Sequence, residues 1–190
     1  MNSNARKWNE PEKDMSIKAH FELMAEYNQS INQQFYQAAK QLSQQKLDQD
    51  MGAYFGSISG TLNHILVGDI IWLKRFVNNP SNFSSLKPLQ GVDTPSSLDQ
   101  KLYDRFADMR EARGEVDQII RDLCKETKET DFIYSLSYTN SKGLPFEKNF
   151  GFLLQHFFNH QTHHRGQVST LLFQQGIDVG VTDLLVKIQD

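Results

Sequence analysis

The feature of this sequence that most constrains its fold is an apolar seam that runs unbroken through its first long segment. The seam advances by alternating steps of four and three residues and consists of Ile17, Phe21, Met24, Asn28, Ile31, Phe35, Ala38 and Leu42. This spacing lies on one face of an α-helix and is typical of helices that pack against other helices. We therefore predict a first helix over residues 16–43. Its polar member, Asn28, either fixes the register of the packed helices or belongs to a functional site.

Three further segments show helical periodicity. Residues 51–77 carry a broad apolar stripe, and residues 97–124 repeat the steps of four and three. Residues 149–175 are followed by Gly176, a residue that commonly ends helices. Four long helices joined by short or medium connections predict an all-α fold, a four-helix bundle.

The segment between the third and fourth predicted helices has a different pattern. Tyr134, Leu136 and Tyr138 alternate with two serines, and the turn-forming residues 140–143 follow. This pattern predicts a short β-hairpin or an extended loop between helices three and four. A short helical turn is predicted near the end of the chain, over residues 182–186.

Composition limits the classes of protein to consider. The 190 residues fit a single domain over residues 15–190, preceded by a flexible polar lead over residues 1–14. The net charge of −3 argues against a nucleic-acid-binding surface, and no apolar run approaches the ~20 residues of a membrane span. The start of the chain lacks the apolar stretch of a secretory signal, and the single cysteine, Cys124, excludes an internal disulfide framework. We expect a cytoplasmic protein.

Four of the six histidines lie within nine residues of the fourth predicted helix. On a helical wheel His160 and His164 point toward the apolar face or its edge, whereas His156 and His163 point outward. Two imidazoles at positions i and i+4 of a helix can chelate one divalent ion. The glutamate of the zinc-protease motif is absent between them.

A third ligand must come from another helix, and two histidines are candidates. His64 on the second predicted helix lies on its more polar side, where Gly60 and Gly68 leave room beside it. His20 on the first helix is the other candidate. Residue spacing alone leaves both open.

Asp69 falls near the centre of the apolar stripe of the second predicted helix, where an unpaired carboxylate costs several kcal/mol. Arg165 lies near the centre of the apolar face of the fourth helix at a similar depth. We therefore predict a buried Asp69–Arg165 ion pair. The rival interpretation is that Asp69 accepts a hydrogen bond from a metal-ligating histidine of the fourth helix. Four aromatic residues are candidates for lining a pocket: Tyr27, Trp72, Tyr134 and Tyr138. For Trp72, packing in the core is the favoured role.

Several segments resemble the DinB/YfiT-like family. The segments are His156–Gln167, with its specific sequence HHRGQ at the end, Thr170–Gly176, Leu62–Leu73, Tyr27–Asn32 and Asp178–Leu185. Together they extend from about residue 20 to about residue 186. The resemblance implies a four-helix bundle, commonly a homodimer, that binds one divalent metal ion, zinc or nickel, through three histidines. Matched residue by residue, these ligands are His64, His160 and His164.

The resemblance also implies a class of function. Family members with known roles are transferases and isomerases that use bacillithiol, mycothiol or related low-molecular-weight thiols, whereas others are described as metal-dependent hydrolases or stress-induced proteins. We expect a metal-dependent enzyme that transfers a small thiol to an electrophile, with a hydrolase using the same site as the first alternative. The second alternative is a non-enzymatic metal-binding bundle or dimer module of a stress response.

Three imidazoles on one ion leave coordination positions open. The reacting group is then expected to be a metal-bound water or thiolate, with Asp69 and Arg165 as supporting residues. The expected partner is a small-molecule substrate, and neither a nucleic acid nor a membrane is expected.

Overall fold

A computed structural model describes residues 16–140 and 142–188, so the predicted lead over residues 1–14 lies outside the described residues. The α-helices are α1 (Ile17–Ala39), α2 (Gln44–Asp48), α3 (Ile58–Phe76), α4 (Phe106–Glu126) and α5 (Phe150–Gln174). The strands are β1 (Ser135–Thr139) and β2 (Pro145–Asn149). Short 3₁₀ segments cover Ser84–Gly91, Glu129–Ile133 and Leu184–Lys187.

The four long helices α1, α3, α4 and α5 form the bundle. Helix α1 packs against α4 and α5, and α3 packs against the same two helices, so that α1 and α3 lie on a diagonal. Each long helix contributes fully buried side chains to one core, among them Phe35, Leu66, Ile120 and Phe157. The predicted all-α four-helix bundle is confirmed. Among the described residues, no helix is long and apolar enough to span a bilayer.

The predicted β-hairpin between the third and fourth long helices is also confirmed. Strands β1 and β2 pair antiparallel over five residue pairs, from Ser135 with Asn149 to Thr139 with Pro145. The Asn140 side chain closes the turn by accepting hydrogen bonds from the backbone amides of Lys142 and Leu144. The hairpin lies beside α3, and its Tyr138 side chain lines a cleft that is described below.

The first predicted helix, over residues 16–43, ends four residues early in the structure, and a separate short helix follows it. Ser16 caps α1 by accepting a hydrogen bond from the Ala19 amide, but α1 ends at Ala39. Ser43 then caps the separate helix α2 through the Lys46 amide. A serine whose hydroxyl accepts from the backbone is a strong start signal, which explains the break.

Two predicted helix starts are wrong because the apolar pattern continues where the backbone is not helical. Helix α3 begins at Ile58 instead of residue 51, after a turn in which Gly52 and Gly56 adopt φ values of 68° and 74°. Helix α4 begins at Phe106 instead of residue 97. The segment before α4 lies across α3, and the Asn63 side chain holds it through two backbone hydrogen bonds. The same segment also contacts His64, through the carbonyl oxygen of Leu98.

Candidate metal centre

Three histidines from two helices converge between α3 and α5. His64 lies in α3, and His160 and His164 lie one turn apart in α5. One ring nitrogen of each side chain falls within 4.8 Å of the others, an arrangement that could hold a metal ion. The Nε2 atoms of His64 and His160 are 3.1 Å apart.

The segment that precedes α4 orients the ring of His64. Its Nδ1 lies 2.8 Å from the carbonyl oxygen of Leu98, so this nitrogen carries the proton and donates. The Nε2 atom therefore keeps its lone pair and points toward the other two imidazoles. The ring of Phe55 stacks on the opposite side, with centroids 3.7 Å apart and planes 16° apart. The buried His64 ring is thus held in one orientation.

The ring of His164 is oriented from its own helix. Its Nδ1 lies 2.8 Å from Oε1 of Gln167, one turn further along α5. With this amide orientation Nδ1 donates, and Nε2 is free to face the cluster. A donor bond from the second ring nitrogen to a carbonyl or amide oxygen is common among histidines that ligate metals, because it fixes the tautomer and the ring plane.

Gly68 lets α3 and α5 approach each other at the cluster. A Cβ atom at this position would lie 2.8 Å from Cε1 of His160, closer than side chains pack. Gly68 follows His64 by about one helical turn, so the glycine opens the space into which the His160 ring projects. Its absence of a side chain is therefore a requirement of the site.

The electrostatics of the cluster favour neutral imidazoles. Burial, followed by the neighbouring imidazoles His164 and His64, lowers the pKa of His160 to about 3. Burial is also the main cause that lowers the pKa of His64 and of His164. A neutral imidazole is the form that binds a metal, so the donor set fits a divalent cation without prior loss of protons at neutral pH.

A charged network occupies the core next to this cluster, and it corrects one prediction. Arg113 of α4 donates to the buried Asp69 carboxylate at 2.5 Å, and Gln161 of α5 donates to it at 2.8 Å. In the described chain, no ion pair joins Asp69 to Arg165, so the predicted pairing is wrong. Asp69 also accepts no hydrogen bond from a histidine among the described residues, and the rival interpretation is wrong as well.

Arg165 instead binds the first helix. It donates to the side-chain oxygens of Asn28 and Asn32 of α1, and both asparagines in turn donate to Asp117 of α4. Asp117 also lies 2.9 Å from the guanidinium of Arg113. The polar seam residue Asn28 is therefore part of a buried network that joins all four long helices.

The network fixes the rotation of α5. Gln161 and Arg165 directly follow His160 and His164 in the chain, and consecutive residues of an α-helix point about 100° apart. When Gln161 and Arg165 are held in the polar core, their neighbours must face the boundary between α3 and α5. The core hydrogen bonds thus position the histidine pair.

A cleft of about 530 Å³ opens beside the cluster, and His160 forms part of its wall. Trp72 and Arg75 of α3 and Tyr138 of the hairpin line it. Of the four aromatic candidates, Tyr27 and Tyr134 are not among the residues that line this cleft. The cleft is open to the surface of the bundle and reaches the cluster at His160. A small molecule can therefore approach His160 from this side.

Comparison with known proteins agrees with this architecture. The model of the DinB family matches residues 15–190. The chain belongs to the DinB family. It is also 26% identical over 159 residues to Protein DinB of Bacillus subtilis (strain 168), an alignment that covers 83% of this chain and 87% of that protein. No solved structure matches the chain significantly.

In this DinB protein the other described histidines do not belong to the converging group, although the ring of His163 contacts that of His164. His156 and His163 are exposed, as the helical wheel predicts. His20 contacts Gln155 on the outside of the bundle, so the structure brings His64 to the pair in α5 and leaves the second candidate away from it.

Three residues of the buried network were not predicted from the sequence: Arg113, Asp117 and Gln161. Arg113 and Asp117 directly follow apolar residues of α4, and Gln161 follows His160 in α5. All three are polar residues next to the apolar face of their helix, a position that is compatible with the surface as well as the core. The sequence signal for these residues is Asp69, because a carboxylate on an apolar stripe requires polar partners on the neighbouring helices.

Proposed function

We propose that this DinB-family protein is a divalent-metal-dependent thiol S-transferase, with His64, His160 and His164 as ligands of one zinc or nickel ion. The main observation in support of the proposal concerns His160. This residue belongs to the converging cluster and also forms part of the wall of an open cleft. Imidazole ligands suit either metal.

The number of protein ligands favours a reactive site over a purely structural one. In residues 16–140 and 142–188, the candidate group contains three histidines and no fourth histidine, cysteine or acidic residue. Structural zinc sites are closed by four protein ligands, whereas catalytic sites have three and leave a position open. A metal used only to clamp α3 to α5 would have no need of the adjoining cleft.

The thiol must come from outside the chain. The single cysteine, Cys124, is fully buried in α4, and burial raises the pKa of its thiol far above neutrality. A divalent ion in the cluster would stabilise the thiolate of a small molecule at neutral pH. In such a transfer the thiol proton would pass to water, the sulfur lone pair would form the new C–S bond, and the leaving group would depart with the electrons of the broken bond.

The residues of the chain have distinct tasks in this reaction. The Leu98 carbonyl and the Gln167 amide hold two ligand rings in the tautomer that presents Nε2. Gly68 leaves space for the third ring. The cleft at His160 offers a concave surface on which thiol and electrophile can be held together, and holding them together lowers the entropic barrier to their encounter.

The first test is metal content. Protein purified without a metal-affinity column is compared by plasma mass spectrometry with His160→Ala and with the matched control His20→Ala. We expect about one zinc or nickel ion per chain in the wild type and the control, and loss of the ion in His160→Ala. Wild-type protein that stays metal-free after reconstitution would overturn the proposal.

The second test is turnover. Zinc-loaded and nickel-loaded protein is assayed for conjugation of L-cysteine to chlorodinitrobenzene, a reaction that releases chloride, with the metal-free protein and His160→Ala as controls. Conjugation that depends on the metal and on His160 supports the proposal. Ester hydrolysis without conjugation would replace it by the hydrolase alternative. Loss of thermal stability as the sole effect of metal removal would replace it by a structural clamp.

A further inference from the structure

We propose that the cleft beside His160 is a binding site for a small carboxylate-bearing molecule, and that Arg75 receives the carboxylate. The inference deepens the proposed function, on which it rests in one respect: the carboxylate belongs to a substrate whose other end reaches the metal. The anion site itself stands on the charge, geometry and size of the cleft.

The charge of the cleft is the first observation. Lys74 and Arg75 line it, and the described residues of its wall include no aspartate or glutamate. The chain as a whole has more acidic than basic residues. A concave surface with two cations and no carboxylate attracts anions, because low-dielectric walls strengthen the field inside a cleft.

Arg75 is held as a preformed receptor. Its guanidinium carbon lies 4.5 Å from the ring centroid of Trp72 and 4.8 Å from that of Tyr138, and Nη2 donates to the Thr139 carbonyl at 3.0 Å. Two aromatic rings and one backbone oxygen therefore fix the plane of the group. A guanidinium has five N–H donors, so others remain for a ligand.

No internal counter-ion uses this charge. Within the described part of the chain, Arg75 forms no ion pair with a carboxylate, although its side chain is only partly exposed. Burial lowers its pKa, which indicates that the charge is held at a cost in solvation. A planar arginine fork that is fixed in place and unpaired matches the two oxygens of a carboxylate.

Lys74 is the second cationic residue in the wall of the cleft. Its ammonium donates to the carbonyls of Leu89 and Val92, which ties the end of the first 3₁₀ helix to α3, and no carboxylate neutralises it among the ion pairs of the described residues. The cleft volume of about 530 Å³ falls within the range of small-molecule sites. A carboxylate at Arg75 and a sulfur or electrophilic carbon near His160 can therefore belong to one bound molecule.

Trp72 provides a direct reporter of binding. The chain has two tryptophans, so the variant Trp8→Phe leaves Trp72 in the cleft wall as the single indole. In this background, fluorescence titrations compare mercaptopropionate with mercaptopropanol, which has a neutral hydroxyl in place of the carboxylate, and with propionate, which lacks the thiol. Cobalt-loaded protein reports sulfur coordination by its charge-transfer absorption.

We expect mercaptopropionate to bind about 10- to 100-fold more tightly than mercaptopropanol, the gain of a charge-assisted hydrogen bond. Arg75→Gln should remove this preference, and Arg75→Lys should restore part of it. The matched control Arg121→Gln changes an arginine that binds Gln29 on another face of the bundle, and it should keep the wild-type preference. If propionate competes with mercaptopropionate, the site recognises the carboxylate, because propionate has no thiol.

The outcomes separate the two proposals. Equal affinity for the acid and the alcohol in the wild type, or an undiminished preference in Arg75→Gln, would overturn the anion site while leaving the metal site intact. Propionate binding that depends on Arg75 in a protein that binds no metal would support the anion site and overturn the proposed function. If Arg75→Gln does not fold, the wild-type comparison of the three ligands decides.

Discussion

Replacing Gly68 by alanine separates the stability of a helix from the geometry of the histidine site. The new Cβ atom would lie 2.8 Å from Cε1 of His160, whereas ordinary contact begins at 3.4 Å. The ring must therefore retreat by about 0.6 Å, more than the ±0.2 Å within which metal–ligand distances are held. We expect zinc affinity to fall about 10- to 100-fold, as when the support of a ligand is removed.

The stability of the metal-free protein should change in the opposite direction. Gly68 lies inside α3, where alanine is favoured over glycine by ~0.5–1 kcal/mol. The atom it meets is the outer end of the His160 side chain, which borders a cleft and can move at little cost. For a domain of this size the gain corresponds to a rise of about 1–4 °C in melting temperature.

The assay pairs calorimetric melting of the metal-free protein with zinc titration against a chromophoric chelator. Gly114→Ala is the matched control, because Gly114 also lies inside a helix and a Cβ atom there would meet nothing within 4 Å. It should raise the melting temperature and leave zinc affinity unchanged. Gly68→Ala protein that binds zinc as tightly as the wild type would refute the reasoning, since His160 would then not need its observed position.

Three further predictions concern the charged core and the histidine cluster. Arg113→Met should lower the free energy of unfolding by about 3–5 kcal/mol, because the buried Asp69 loses its ion-pair partner; urea denaturation measures this, and an unchanged midpoint contradicts it. Gln167→Leu should weaken zinc binding about 10- to 100-fold in the chelator titration, because His164 loses the acceptor that orients its ring, and wild-type affinity would contradict this role. The metal-free protein should lose stability as the pH falls from about 6.5 toward 3, because the unfolded chain protonates His160 at its ordinary pKa while the folded pKa is about 3. His160→Gln should show a shallower pH dependence of unfolding over this range, and equal slopes would count against the lowered pKa.

Helix periodicity predicted the long elements well because it is a local property. The start of α1 at Ser16 and the end of α5 near Gly176 follow from capping and stop residues that act within one turn. The starts of α3 and α4 were predicted too early, because apolar residues also occur in the turn before α3 and in the segment across it. The spacing of apolar residues indicates which side chains are buried, but it does not show that the backbone is helical. These two segments are partly buried without being helical.

The buried carboxylate shows where local reasoning stops. The position of Asp69 on an apolar stripe required a partner, and the structure has one. The choice between Arg113 and Arg165 depends on how α4 and α5 pack around α3. A helical wheel describes one helix and gives no information about this packing. Two charged residues that lie on the apolar faces of two helices at a similar depth therefore need not form an ion pair.

The sequence by itself determined that this chain forms an all-α bundle with a hairpin, and that α5 presents two histidines on one face. Its resemblance to a known family further pointed to His64. Only the tertiary structure brought His64 beside His160, a residue 96 positions away, and placed a basic cleft at their side. The physical reason is that periodicity acts over one or two helical turns, whereas the site depends on the rotation and separation of helices that distant polar contacts fix.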